Sequence, residues 1–566
     1  MLDERAGVLH LVLQRRGPEV GEGGRVRAVD DQLPAQCHVT SYTGYLNGPQ
    51  LVFSLGDVST RPGLTVTTRE LFTVAAPTAI EPDGPRIRDT GVDTKSIRHP
   101  ATRVATAVLV TATTLTATAH QATADPAPRP RALYTTNGGT ADISTFTIGP
   151  DGRLTRLDPP VKTGDDPRGI ALTPDGRTAY AVSNGQVGVY AVDAQGRLSP
   201  RGRPEPTGPT PFGVAVRPNG RTLYVTDHDD GTVSVFTIGG DGTLTRLGRP
   251  VPVGGDTPNG VAASTDGRFL FVSEGVPLAG NRGRLFTFSI GRDGALTPLG
   301  DPIVFESAGE GLSVTPDGRF VYLTTTVTDQ IFGFRLSATG ALTPVPGSPF
   351  QAPARPVGAA PTPDSRALYV TVGEFGTTPN GVWGFRIAAD GSLTRVEPEP
   401  FASGAAPIWA TATPDGRRVY AVNRDSGDVS GYDIAAGNAL RPVPDSPFPT
   451  GGTNALLQSI VVRPDQGPRA AFTAVPSASA VKFDASASAD LDGKVVRYGW
   501  DFGDGTVRPD GGPTPSHRYG RPGTFTVTLT VTDDEGCSTR LVFTGQTALC
   551  NGSPAATAHR TITVTR

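Results

Sequence analysis

Thr173-Pro174-Asp175-Gly176-Arg177 is the first of seven related phrases. It returns as Arg217-Pro218-Asn219-Gly220-Arg221, Ser264-Thr265-Asp266-Gly267-Arg268 and Thr315-Pro316-Asp317-Gly318-Arg319. It returns again as Thr362-Pro363-Asp364-Ser365-Arg366, Thr413-Pro414-Asp415-Gly416-Arg417 and, worn down, Arg463-Pro464-Asp465-Gln466. The steps between successive second positions are 44, 47, 51, 47, 51 and 50 residues. Self-similarity at such a period, carried by short strands, marks a β-propeller with one blade per period.

Each period holds three further apolar segments. One carries an aromatic residue: Leu133-Tyr134, Ala179-Tyr180, Leu223-Tyr224, Leu270-Phe271, Val321-Tyr322, Leu368-Tyr369 and Val419-Tyr420. The next alternates, as in Val233-Ser234-Val235-Phe236-Thr237-Ile238, which marks a half-buried strand. A turn such as Gly240-Asp241-Gly242 then leads to an outer strand such as Leu244-Thr245-Arg246-Leu247. We name these strands A (ending at the repeated phrase), B, C and D. The chain therefore reads as all-β, with seven four-stranded antiparallel blades. Strands B, C and D come first at Leu133 with no A before them, and Ile460-Val461-Val462 comes last as an A strand with no B after it. The two remnants predict a ring closed by the late strand joining the first blade, which hides an otherwise open sheet edge.

Leu223-Tyr224-Val225-Thr226, Leu368-Tyr369-Val370-Thr371 and the Pro-Asp-Gly-Arg turns resemble the YVTN repeats of the bacterial lactonase-like propellers. The likeness runs from about residue 130 to 465 and rests on turn and core residues. It implies the fold strongly and the activity weakly, because that group holds phosphogluconolactonase-like hydrolases beside surface proteins of other roles. In catalytic members one A strand opens with adjacent Arg and His, and a nearby B strand ends in Asn-Glu. Arg168 matches the first position, but Gly169 stands where the His belongs. Ser273-Glu274 matches the second motif in part, in another blade.

Alternating strand direction puts the A–B and C–D turns on one face and the B–C and D–A loops on the other. The second face varies in length and charge, which is where a rigid scaffold carries function. The positions six before each second repeat position are Arg168, Phe212, Asn259, Glu310, Val357, Ile408 and Gln458, and they are expected at the axial mouth. His228, Asp229, Glu274, Arg282, Glu374 and Arg424 are expected around it on B–C loops. Glu274, Glu310 and His228 are the candidate general acids or bases, and Arg168, Asn259, Arg282, Glu374 and Arg424 the candidate ligand-binding residues. Such a set could hydrolyse a lactone, with a carboxylate or His activating water and Arg holding an oxyanion. The plainer alternative is that these loops are charged because they face water. The dispersed His residues form no metal-ligand pattern in the propeller.

From residue 468 the repeat stops. Tyr498-Gly499-Trp500-Asp501-Phe502-Gly503-Asp504-Gly505-Thr506 and Tyr519-Gly520-Arg521-Pro522-Gly523-Thr524-Phe525 resemble the polycystic-kidney-disease (PKD) domain. That resemblance implies an immunoglobulin-like β-sandwich over 468–566 with Trp500 in its core. The turn aspartates are expected to brace backbone amides, and a calcium site using Asp490, Asp492 or Asp501 is the other reading. No other cofactor is expected. Cys537 and Cys550 are expected to form a disulfide if the protein is exported, or otherwise to be buried thiols.

With 71 Gly and 53 Pro among 566 residues, the chain is rich in tight turns, and a net charge of −3 gives no footprint for nucleic acid. Residues 92–124 read as a secretory leader. Arg98, His99 and Arg103 precede the weakly apolar run 104–115, and Ala122-Thr123-Ala124 offers a cleavage site. The run is too short and Thr-rich for a stable membrane span. Residues 1–91 are then expected to be a non-native extension, with an internal membrane anchor as the alternative. The propeller is expected over 125–467. The sequence thus predicts a secreted protein that binds an extracellular glycan, protein or small molecule, or alternatively a lactone hydrolase.

Overall fold

The computed structural model describes residues 131–275, 282–373, 378–477, 480–543 and 548–565, and five short strands between 38 and 75. The leader expected over 92–124, Glu374 and most of the extension expected over 1–91 lie outside the described residues. In the N-terminal unit, Tyr42–Asn47, Gln50–Leu55 and Phe72–Ala75 form an antiparallel sheet, and His38–Val39 pairs with Val58–Ser59.

The seven blades are present, and they close as the remnants predict. Ile460–Val462 pairs antiparallel with Ala132–Asn137, setting Ile460 opposite Thr135, Val461 opposite Tyr134 and Val462 opposite Leu133. Blade 1 thus joins the two ends of the repeat. Blades 2 to 7 follow with inner strands Ile170–Leu172, Pro211–Val216, Pro258–Ala263, Gly309–Val314, Ala359–Pro361 and Pro407–Ala412. The outer strand differs from expectation: it comes in two pieces. In blade 3, Leu244–Arg246 and Val251–Pro252 both pair with Thr232–Ile238. The other six blades repeat this split. A proline just before each second piece (Pro250 here) lacks the N–H that would continue the ladder.

The repeated phrase builds its own turn. Asp175 Oδ1 accepts from Thr173 Oγ1 (2.5 Å) and from the Arg177 N–H (3.1 Å). The same pair of bonds recurs at Asp266, Asp317, Asp364 and Asp415. Gly176 has φ 60° and Ser365, where one repeat lacks glycine, has φ 59°, so the fourth position needs the left-handed conformation.

The recurring tyrosine latches each blade to the next. The hydroxyls of Tyr134, Tyr180, Tyr224, Tyr322, Tyr369 and Tyr420 donate to the carbonyls of Gly196, Gly242, Gly294, Gly391, Asn438 and Gly152, at 2.7–3.0 Å. Each acceptor sits in the C–D turn of the following blade, and Tyr420 ties blade 7 back to blade 1. Burial pushes these hydroxyls above their ordinary range. They therefore remain protonated donors, each contributing about 1 kcal/mol. Blade 4 carries Phe271 and forgoes its latch.

Residues 473–564 form a sandwich. One sheet holds Thr473–Ser477, Ala480–Asp484 and Ser516–Arg518, and the other Val507–Arg508, Val495–Asp501, Gly523–Asp533 and Thr557–Val564. Trp500 is fully buried between them, stacked at 6.2 Å on Phe502, with Nε1 donating to the Gly512 carbonyl at 2.9 Å. As expected, Asp501 and Asp504 brace the turn by accepting from the Gly503 and Thr506 amides. Among the described residues no helix is long and apolar enough to cross a membrane.

Cys537 and Cys550 form a disulfide at the base of a hairpin made of Leu541–Phe543 and Ala548–Asn551. This hairpin docks on the turn face of the propeller. Leu549 lines the central channel at that end, and Leu541 packs on a core that includes Ala171, Val214 and Val216. The Asn551 amide donates to the Asp465 carbonyl (3.2 Å), and its side chain donates to Gln466 Oε1 (3.1 Å).

Candidate functional site

The axial mouth on the loop face is filled. Val357, Ile408 and Leu457 are buried in one apolar cluster, and Phe212 packs against it. Gln458, fully buried, reaches across the ring: its Oε1 accepts from the Val214 N–H and its Nε2 donates to the Val261 carbonyl, both at 2.9 Å. The channel between the A strands keeps a small cavity of about 50 Å³, room for a few water molecules.

The inner ring is tight because glycine follows five of the seven axial positions: Gly169, Gly213, Gly260, Gly311 and Gly358. A Cβ on Gly169 would stand 2.6 Å from the Phe212 carbonyl oxygen. The histidine of the lactonase motif therefore has no room at position 169. B-strand hydroxyls hold the same ring, with Thr136, Thr226 and Thr324 donating to the carbonyls of Arg168, Asn259 and Val357.

The structure separates the candidates into groups. Arg168 and His228 come together across blades 2 and 3. The Arg168 guanidinium lies 3.9 Å from the centre of the Phe212 ring and pairs with Asp166 at 2.6 Å. On Phe212 also leans His228, with ring centres 4.9 Å apart. His228 Nδ1 meets Asp229 Oδ1 at 2.8 Å, and Thr210 Oγ1 donates to Asp229 Oδ2 at 2.5 Å. Bonds from Thr210 and His228, helped by the Arg168 charge, hold the Asp229 carboxyl below its ordinary range. Asn259 and Glu310 form a second group, with Nδ2 donating to Oε2 at 3.1 Å.

Glu274 does not reach the mouth. It is fully buried at the end of its B strand, paired with Arg284 at 2.7 Å, and it accepts from the Asp256 N–H at 2.8 Å. The repeat explains this placement. Asn137 with Asp142, Asp227 with Thr232 and Ser234, and Asn423 with Asp428 occupy the same position and tie their own B–C turns. Arg282 is also turned away, exposed at the rim and 3.3 Å from Glu306. Arg424 pairs with Asp425 at 3.0 Å on the blade 7 turn.

Beside His228 a cleft of about 370 Å³ opens between blades 3 and 4, lined by His228, Asp229, Asp230, Gly231, Gly255, Asp256 and Thr257. Asp166, Thr210 and Asp256 escaped the sequence reading. For two of them, Asp166 and Thr210, the usable signal was position, two residues before Arg168 and Phe212; in the structure both have φ 50°. Left-handed non-glycine residues concentrate where the surrounding structure imposes geometry.

A second polar cluster lies at the junction with the sandwich. Asp465, Asp490, Asp492, Asp533 and Glu535 gather around Arg131. Burial, then neighbouring carboxylates, push Asp465 up to about 11 and Asp492 to about 7. Burial chiefly raises Asp533 to about 7 and Asp490 to about 6. Asp501, the third residue of the calcium expectation, is an exposed turn residue bound to the Gly503 amide.

Comparison with known proteins matches both halves of this architecture. Residues 132–260 match the family model described as lactonase, 7-bladed β-propeller, and residues 464–546 match that of the PKD domain. A provisionally assigned 6-phosphogluconolactonase from Bacteroides uniformis superimposes with a TM-score of 0.51 and 22% identity, covering 59% of this chain and 99% of that one. A second, from Bacteroides fragilis, gives 0.50 and 20%, covering 59% and 98%. At this identity the likeness concerns the fold. Collagenase ColA of Bacillus cereus is 45% identical over 56 residues, and the pre-pro-metalloprotease PrtV of Vibrio cholerae 51% identical over 51. Those stretches are 10% and 9% of this chain and span only 6% and 5% of the two relatives. The chain carries a lactonase-like seven-bladed β-propeller followed by a PKD domain.

Proposed function

We propose that this is an exported binding protein whose propeller takes a neutral sugar or glycan in the cleft beside His228. The observation that carries this reading is the filled axial mouth beside an open, acidic cleft. Asp229, Asp230 and Asp256 line the cleft. Carboxylates accept hydrogen bonds from sugar hydroxyls, and their charge disfavours a phosphorylated ligand. The disulfide and the PKD domain support an oxidising, extracellular setting.

A second reading is favoured by one observation, the His228–Asp229 pair near Arg168. A His held by a carboxylate at Nδ1 keeps Nε2 for a water molecule, and Arg168 would stabilise the anion of a lactone adduct. One experiment separates the two. The purified chain is screened by calorimetry against neutral glycans and assayed in parallel for hydrolysis of gluconolactone and 6-phosphogluconolactone. The binding reading expects saccharide binding that weakens at least tenfold in Asp229→Asn, with no lactone turnover. Lactone turnover lost in His228→Ala would replace it with the hydrolase reading.

A further inference from the structure

We propose that Asn184, in the B–C turn of blade 2, is a modification site: among the described residues it forms the one Asn-Gly bond that the fold leaves open to spontaneous deamidation, giving aspartate and isoaspartate. The chemistry needs no co-reactant but water. The Gly185 backbone nitrogen attacks Asn184 Cγ, a C–N bond forms, and the side-chain nitrogen leaves as ammonia with the Gly185 amide proton. Water then opens the five-membered succinimide at either carbonyl. One opening gives aspartate. The other gives isoaspartate, in which the chain runs through the side-chain carbonyl. Nothing is oxidised or reduced. Glycine favours the ring closure because it has no Cβ to crowd the nitrogen and its backbone turns freely.

Asn-Gly pairs with described side chains begin at Asn137, Asn184, Asn219, Asn259, Asn380 and Asn551. All but Asn184 are guarded. Asn137 and Asn259 are buried, and their glycine amides donate to the Asn454 carbonyl (3.2 Å) and to Ser273 Oγ (3.1 Å). Asn380 is clamped through both ends of its amide, donating to the Gly404 carbonyl at 2.7 Å and accepting from the Ala406 N–H at 2.9 Å. Asn551 donates to Gln466 Oε1 at 3.1 Å. Asn219 is exposed, but its Oδ1 accepts from the Arg221 N–H at 3.0 Å, and the attacking nitrogen, on Gly220, donates to the Arg217 carbonyl at 2.8 Å. Asn184 escapes every such restraint. It is exposed, and among the described residues neither its side chain nor the Gly185 N–H makes a hydrogen bond. A Cβ on Gly185 would meet nothing within 4 Å, so the side chain has room to swing over the nitrogen. The turn is coupled to its surroundings. A Cβ on Gly164 would stand 2.6 Å from Ser183 Oγ, so the loop leading into blade 2 presses on this turn. That loop carries Asp165, whose carbonyl accepts from the Asn184 N–H at 2.9 Å, and Asp166, the partner of Arg168. Isoaspartate lengthens the backbone by one atom there, which loosens the arm that holds Arg168.

The test ages the full chain at mildly alkaline pH, folded and, in parallel, in denaturant. Peptide-mapping mass spectrometry follows the exchange of NH2 for OH at each asparagine. In the folded chain the Asn184 peptide should convert at least about tenfold faster than the others, which must first open locally. In denaturant the rates should draw together, because the fold alone separates them. Equal rates in the folded chain, or Asn219 in the lead, overturn the site. A spread in denaturant as wide as in the folded chain assigns the selectivity to local sequence and overturns the structural argument. Asn184→Gln should melt as wild type, since the residue is exposed, and should accumulate acidic forms on ion exchange more slowly. Accumulation at the wild-type rate overturns the assignment. Hydrogen exchange reads the coupling: residues 163–168 should exchange faster in the isoaspartate form than in the fresh chain. Unchanged exchange overturns the link to Arg168.

Discussion

The two faces of the propeller obey different rules. On the turn face most blades do the same thing: an aspartate closes the tight turn in five, and a tyrosine hydroxyl reaches into the next blade from six. On the loop face the blades diverge, and only blades 1 and 7 share a tie, Asn137 with Asp142 and Asn423 with Asp428, among those described. The B–C turns are tied by Asn137 with Asp142 in blade 1, Asp227 with Ser234 in blade 3 and Glu274 with Arg284 in blade 4. Five of the seven axial positions differ in type from both neighbours around the ring, Val357 and Ile408 being the one like pair. Repetition serves closure, because each blade must meet its neighbour in the same way. Irregularity gathers where closure makes no demand, and there the polar groups left over can meet a ligand.

The contrast can be broken first at closure itself. Truncation after Thr453 removes Ile460–Val462, so blade 1 loses its inner strand and the channel its seventh wall. The expected result is loss of the cooperative melting transition of the whole ring, seen by calorimetry or circular dichroism. A truncated chain that melts as wild type does would show that six inner strands suffice.

A smaller effect is expected at the docked hairpin. The Cys537–Cys550 bridge spans a sequence separation of 13 residues, which the chain-entropy view equates with about 3 kcal/mol. The Cys537→Ser, Cys550→Ser double variant should lower the denaturant midpoint of the PKD domain. The blade signal should move less, because the turn-face bonds do not depend on the bridge.

On the loop face, Glu274→Gln should destabilise by about 2 kcal/mol, since it strips the charge from a fully buried partner of Arg284. Chemical denaturation measures this. Unchanged stability would return Glu274 to the list of residues kept for a ligand.

The smallest effect sharpens the rule of the turn face. Phe271→Tyr supplies the hydroxyl that blade 4 lacks, aimed by register at the C–D turn of blade 5. A gain of up to about 1 kcal/mol in melting or denaturation analysis is expected. A loss would mean that the blade 4–5 interface is packed for phenylalanine.

Much of the fold was legible because repetition multiplies weak signals. A single Pro-Asp-Gly is only a turn, but seven at one period fix the blade count, and the unmatched strands at Leu133 and Ile460 fix the closure. The PKD domain was legible through Trp500 and its Asp-Phe-Gly-Asp-Gly turn, where each residue type answers a local demand of core or backbone. The site was less legible. The count that placed Gln458 and Val357 at the mouth was right about position but silent about direction, and side chains pointing inward filled the mouth. Glu274 looked like a ligand residue because its burial by Arg284 depends on a partner ten residues on.

The sequence by itself determined the elements, their number and their order, because turn chemistry and strand alternation act within a few residues. Tertiary structure alone decided that Gly169 admits no histidine, that Leu549 lines the channel and that Asp465 meets Asp533 and Glu535. Those outcomes depend on how closely seven inner strands converge and on where a second domain comes to rest. Both are set by packing between residues far apart in the chain, and local pattern carries no record of such distances.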